Sequence, residues 1–177
     1  MPGSNPDSHL PADVSRNPSR RPTSLKARAI ALLARREYSR AELRDRLVAD
    51  RGQSAGAAET AVDAVLDELA SLGYLSDARF AKSVVRQKAG GYSKRAIGAT
   101  LKARGVGSDE ATEALAGADV DDQATLVALW RRRFGKPPAD DREKARQVRF
   151  LQSRGFSLSA IFKLLRSPPA DNDAEHP

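Results

Sequence analysis

Apolar residues along this chain recur three and four positions apart, and strand-type alternation is absent. Leu43 and Leu47, Phe80 with Val84 and Val85, and Ile97 and Leu101 each lie on one face of a helix. The pattern predicts helices over Leu25 to Glu37, Arg40 to Asp50 and Ala57 to Leu72, the last burying Val62, Val65, Leu66, Leu69 and Leu72. Later helices are expected over Asp109 to Leu115, Gln123 to Phe134 and Asp141 to Arg154. Ser157 to Arg166 follows, with Leu158, Ile161, Phe162 and Leu165 as its buried stripe. Leu126, Leu129 or Trp130, and Phe134 mark the buried face of the helix before. Between Pro22 and Pro137 there is no proline, and alanine, leucine and arginine dominate, as helices require.

The ends of these helices carry their own signals. Ser24, Ser39, Ser76, Ser93, Ser108 and Ser157 are candidate N-caps, whose hydroxyls accept bonds from unpaired first-turn amides. Ser39-Arg-Ala-Glu42 reads as a capping box. Gly52, Gly73, Gly90, Gly105, Gly135 and Gly155 stand where helices stop, because glycine enters the left-handed conformation without steric cost. Together these signals predict about nine helices with short connections.

The helices fall into three sets of three. Tyr38-Ser39-Arg40 recurs 54 residues later as Tyr92-Ser93-Lys94. The exit Arg51-Gly52 recurs as Arg104-Gly105 and Arg154-Gly155, at spacings of 53 and 50. A repeat of that length predicts an all-α protein, an elongated tandem array of three three-helix units. The units are set at residues 23–74, 75–118 and 119–166. Residues 1–22, with five prolines and few apolar side chains, and the acidic residues 167–177 are expected to be disordered tails.

Charge then changes the picture. The net charge is +7, and it is unevenly spread: residues 23–77 sum to −1. From Ala78 to Ser108 there is no acid, while Arg79, Lys82, Arg86, Lys88, Lys94, Arg95, Lys102 and Arg104 supply eight positive charges. Residues 131–166 hold eleven bases against three acids, Arg149 and Arg154 among the bases. Folded, one-signed surfaces of this kind attract anionic partners. An acidic block at 109–130, with six acids and no base, stands between them as a possible internal partner. Arg79, Lys82 and Arg86 share one helical face. Asp77 is read as complementing a helix dipole and Phe80 as core.

Catalytic chemistry finds no support. The two histidines, His9 and His176, lie in the polar tails, so a serine nucleophile has no base within the fold. There is no cysteine, and Gly135-Lys136 runs into Pro137-Pro138 in place of a phosphate-cradling loop. Asp119, Asp121 and Asp122 fall at a helix start, where acids complement the dipole, so no metal and no cofactor are expected. No apolar run is long enough to span a bilayer and no signal-peptide pattern opens the chain, which predicts a cytoplasmic, soluble protein. Tyr38, Tyr74 and Tyr92 recur at helix junctions and are read as packing residues. With aromatics at 5%, a base-stacking platform is not indicated.

Several of these stretches resemble a known family. Gly73-Tyr-Leu-Ser-Asp77-Ala-Arg79-Phe80-Ala81 is similar to the central signature of the RecX regulatory proteins, modulators of RecA recombinase. Gly91-Tyr92 through Leu101-Lys-Ala-Arg-Gly105-Val106 resembles that family's second segment, and Arg149-Phe150-Leu151-Gln-Ser-Arg154-Gly155-Phe156-Ser157 its third. Ala31 to Leu43, with Glu37-Tyr-Ser39-Arg-Ala-Glu42, fits the first, so the likeness covers residues 25–166. Ser93 departs from the glycine, and Thr100 from the acid, often found there.

The resemblance implies helix-turn-helix-like repeats without catalytic activity. It further implies a protein that lodges in the groove of the RecA–DNA filament and inhibits ATP hydrolysis, strand exchange and filament growth, in DNA repair and the SOS response. Nine short amphipathic helices that can cover one another predict a monomer. The implied partners are the RecA filament and, weakly and electrostatically, single- and double-stranded DNA, with no membrane. The partner contacts are then expected at Arg79, Lys82, Arg86, Lys88, Lys94, Arg95, Lys102, Arg104, Arg149 and Arg154. A DNA-binding regulator of helix-turn-helix type without RecA dependence is the competing reading. Three non-identical units with few Asn or Gln argue against a palindromic reader.

Overall fold

The computed structural model describes residues 24–49, 55–118 and 120–169; the expected N-terminal tail, most of the C-terminal one and the Arg51-Gly52 exit lie outside them. Nine α-helices and no strand occur among the described residues. They are α1 (Leu25–Leu33), α2 (Arg40–Ala49), α3 (Ala55–Ser71), α4 (Asp77–Lys88), α5 (Lys94–Ala103), α6 (Ser108–Ala116), α7 (Asp122–Arg133), α8 (Asp141–Ser153) and α9 (Leu158–Arg166).

The helix starts follow the serine signal with one exception. Ser24, Ser76, Ser93 and Ser157 each accept a bond from the amide three residues on. Ser39 does the same from the Glu42 amide at 3.0 Å. Ser108 does not: it is the first residue of α6, and extended Gly107 precedes it with no side-chain cap. Asp109 and Glu110 in that first turn supply negative charge to the helix start instead. Asp121 and Asp140, not predicted as caps, serve α7 and α8. The capping box at Ser39 is half realised, because the Glu42 carboxylate turns to Arg36 and Arg104, each at 3.3 Å. At the helix ends Gly73, Gly90, Gly105, Gly135 and Gly155 all have φ between 70° and 92°.

Three separate apolar cores run in chain order, so the fold is a row of units, each with its own centre. The first gathers Ala29, Leu43, Leu47, Val62, Leu66, Leu69 and Leu75. The second gathers Phe80, Ala81, Val84, Val85, Ile97, Leu101, Val106, Ala114 and Val120. The third gathers Leu126, Leu129, Trp130, Leu151, Phe156, Ile161 and Leu164. Burying each such large side chain stabilises the fold by about 1.5–3 kcal/mol before entropy is counted. Leu75 and Val120 each pack one step upstream of the unit in which their position places them.

Three expected core residues are on the surface. Leu72 is 56% exposed because α3 ends at Ser71 and left-handed Gly73 turns the chain, leaving Leu75 to close the core. In α9, Leu158 and Phe162 are 45% and 40% exposed, while Ile161 and Leu164 face inward. Val65 and Val148 are only half-buried. The third core also holds a polar pair that pattern does not announce: buried Gln147 accepts from the Trp130 indole N–H at 2.8 Å. Its amide donates to the Lys136 carbonyl at 3.3 Å, tying α8 to the loop before it.

Candidate partner-binding surface

The units meet through a polar joint that occurs twice. At the first joint, Ser39 Oγ donates to the Arg104 carbonyl at 2.6 Å, and the Arg40 amide donates to Asp77 Oδ1 at 2.7 Å. At the second, Ser93 Oγ donates to the Gly155 carbonyl at 2.8 Å, and the Lys94 amide donates to Asp122 Oδ1 at 2.7 Å. The Ser93 amide adds a bond to the Arg154 carbonyl at 3.0 Å. Each joint sets the start of one unit's middle helix against the exit of the next unit's middle helix. Both serines are buried, so the hydrogen bonds of their hydroxyls are shielded from water. A methyl on Gly105 would stand 2.4 Å from Ala41 Cβ, and one on Gly155 2.4 Å from Ala96 Cβ. Glycine is therefore required at both exits for close approach as well as for its positive φ. Asp77 and Asp122 sit in the first turns of α4 and α7 yet bond across to another helix's amide.

Five of the ten candidate cations are engaged at or beside these joints. Arg79 pairs with Glu37 at 3.0 Å and donates to the Tyr74 carbonyl at 3.0 Å. Arg104 pairs with Glu42 at 3.3 Å and lies 5.8 Å from the Phe80 ring centre. Arg95 donates to the Gly155 carbonyl at 3.1 Å. Arg154 lies over Tyr92 at 4.8 Å and Lys88 over the same ring at 4.2 Å. Cations over ring faces are attracted by the ring quadrupole.

The other five are presented to solvent. Lys82 reaches Glu113 at 3.8 Å, a long and exposed pair. Arg86, Lys94, Lys102 and Arg149 are exposed, and their side chains form no ion pair among the described residues. Between the basic stretch and the acidic block 109–130, Lys82–Glu113 is the one ion pair among the described residues. Asp121 and Asp122 each turn one carboxylate oxygen, Oδ1, to backbone amides. Among the described residues the acidic block therefore leaves most of the basic face unpaired.

Arg142 and Arg146 were not singled out from the sequence, yet they share the α8 face of Arg149 at helical spacing. Arg146 stands 5.6 Å from the Phe134 ring, and Arg133 lies 6.0 Å from both Phe134 and Phe150. Those two rings meet edge to face at 5.5 Å. The spacing of seven, four and three along α8 was the available signal. In the first unit, by contrast, arginines are matched by acids: Arg44 bonds Asp63 and Glu59, and these bonds raise its pKa above the ordinary arginine value. The first unit therefore offers less unpaired positive charge than the other two.

Such a molecule is an all-α tandem-repeat protein, built of three-helix units with polar joints and basic faces on the second and third units. Residues 76–115 match the family model for the second three-helix domain of RecX, and residues 119–165 that for the third. The chain is 44% identical over 153 residues to the regulatory protein RecX of Leptothrix cholodnii, covering 86% of this chain and 93% of that one. It is 45% identical over 152 residues to that of Chromobacterium violaceum, covering 85% and 93%. The chain belongs to the RecX family of regulatory proteins. In fold it is similar to the crystal structure of RecX from Lactobacillus salivarius, with a TM-score of 0.59 at 19% identity, over 80% of this chain and 92% of that one. No helix among the described residues is long and apolar enough to cross a membrane.

Proposed function

We propose that this protein binds the RecA–DNA filament and restrains RecA, inhibiting its ATP hydrolysis, strand exchange and filament extension. The observation that carries this reading is the set of exposed cations without acid partners among the described residues, Arg86, Lys94, Lys102 and Arg149, spread over two consecutive units. A filament groove offers DNA phosphates and protein carboxylates together, and a row of basic units suits both. Arginine is apt there because its guanidinium grips phosphate or carboxylate with two parallel bonds. The reading places the protein in the cytoplasm as a monomer without catalytic activity, with weak electrostatic affinity for single- and double-stranded DNA.

The deciding assay is ATP hydrolysis by RecA on single-stranded DNA, with this protein titrated below the RecA concentration. Inhibition at substoichiometric amounts is expected, weakened when Arg86, Lys94 and Lys102 are changed together to Ala. Inhibition only after the DNA is saturated, in a control where the DNA is coated first, overturns the filament reading. It would leave a salt-sensitive DNA binder without RecA dependence.

A further inference from the structure

A groove of about 550 Å³ on the third unit combines apolar side chains with two cations. It is formed by Pro137, Pro138, Lys144, Phe162, Leu165 and Arg166, where the loop after α7 meets α8 and α9. Phe162 is 40% exposed in α9, although Ile161 and Leu164 of the same helix are buried. Its exposure is not a failure of packing, since the third core is complete without it. Among the described residues, Lys144 and Arg166 form no ion pair and no carboxylate lines the groove. The nearest acid along α8, Glu143, accepts from the Ala139 amide at 2.9 Å.

The geometry points to this groove as a docking site for an acidic segment of a protein partner, one carrying an apolar side chain between carboxylates. The apolar side chain would lie on Phe162, Leu165 and the proline wall, and the carboxylates would meet Lys144 and Arg166. Charge complementarity selects an acidic partner, and the lining selects against a nucleic acid. The Lys144 ammonium stands 5.9 Å from the Phe162 ring centre, which sets positive charge directly beside apolar surface. Proline side chains add apolar surface and no hydrogen-bond donor for phosphate. This site is distinct from the α4, α5 and α8 cations of the filament reading and stands independently of it.

The test uses the full chain and two labelled, end-capped octapeptides of equal charge, one alternating Asp with Leu and the other Asp with Ser. Fluorescence polarisation is expected to show the leucine peptide binding at least tenfold more tightly. Phe162→Ala should abolish that preference, and Lys144→Ala with Arg166→Ala should weaken both peptides at least fivefold. Circular dichroism of the variants should be unchanged, since all three side chains are exposed; Phe162→Ser serves as a second variant should the first misfold. Equal binding of the two peptides means attraction by charge alone and overturns the proposal. So does displacement of the leucine peptide by an equally charged thymidine oligonucleotide at the same concentration as by unlabelled peptide. A tenfold gain on removing residues 170–177 would make this chain's own acidic end the occupant and likewise overturn the commitment to a partner.

Discussion

The hydroxyl of Ser93 donates to the carbonyl of Gly155, 62 residues away, at 2.8 Å, and also accepts the Ala96 amide at 3.2 Å. One side chain thus starts a helix and fastens its unit to the next. Ser39 repeats the arrangement with Arg104 and Glu42. The Tyr-Ser-basic triplet and the Arg-Gly exit are two halves of one joint.

Ser93→Ala should cost about 1–2 kcal/mol, the range for losing an N-cap together with a buried hydrogen bond. Urea unfolding followed by circular dichroism measures it. Ser108→Ala, which removes no cap bond, should stay within about 0.5 kcal/mol.

Alanine at the helix-stop glycines should separate joint from turn. At Gly73 nothing lies within 4 Å of an added methyl, so Gly73→Ala should cost only the left-handed backbone term, about 1–2 kcal/mol. Gly155→Ala meets Ala96 at 2.4 Å and Ser93 Oγ at 2.6 Å and should cost more. It should also raise amide exchange at Ser93. Equal melting shifts for the two variants would show that the joint tolerates the methyl.

Gln147→Leu leaves the buried indole N–H of Trp130 without its partner. The expected loss is about 1–3 kcal/mol. Trp130 is the chain's single tryptophan, so its emission spectrum reports the change directly.

Lys102→Ala should weaken DNA binding and lower the salt slope by about 1, leaving stability unchanged. Arg104→Ala should instead lose its contact with Glu42, a half-exposed pair worth about 0.5 kcal/mol. Anisotropy titrations at several salt concentrations, with melting curves, distinguish the two roles.

Much of this architecture is readable from the sequence because its signals are local. The serine caps, the left-handed glycines and the period of Leu43–Leu47 and Ile97–Leu101 depend on neighbours within a turn or two, and the structure follows them. The errors fall where a helix end decides orientation. Leu72 and Leu158 keep the helical spacing of a core stripe, yet one lies past the last turn of α3 and the other opens α9, and both are exposed. Gln147 was invisible for the opposite reason, since a polar residue on an apolar face is explained only by the indole that meets it.

The sequence by itself determined the helical class, the three-unit period and the uneven charge, all of which are sums over adjacent residues. Tertiary structure alone decided which cations remain available. Arg79, Arg95, Arg104 and Arg154 are held by Glu37, by the Gly155 carbonyl, by Glu42 and by Tyr92, partners 42 to 62 residues away. Lys102 and Arg149, which carry the same charge, meet no such partner among the described residues. A charge's neighbours across a joint are set by how units pack, and packing brings together residues whose separation along the chain carries no signal.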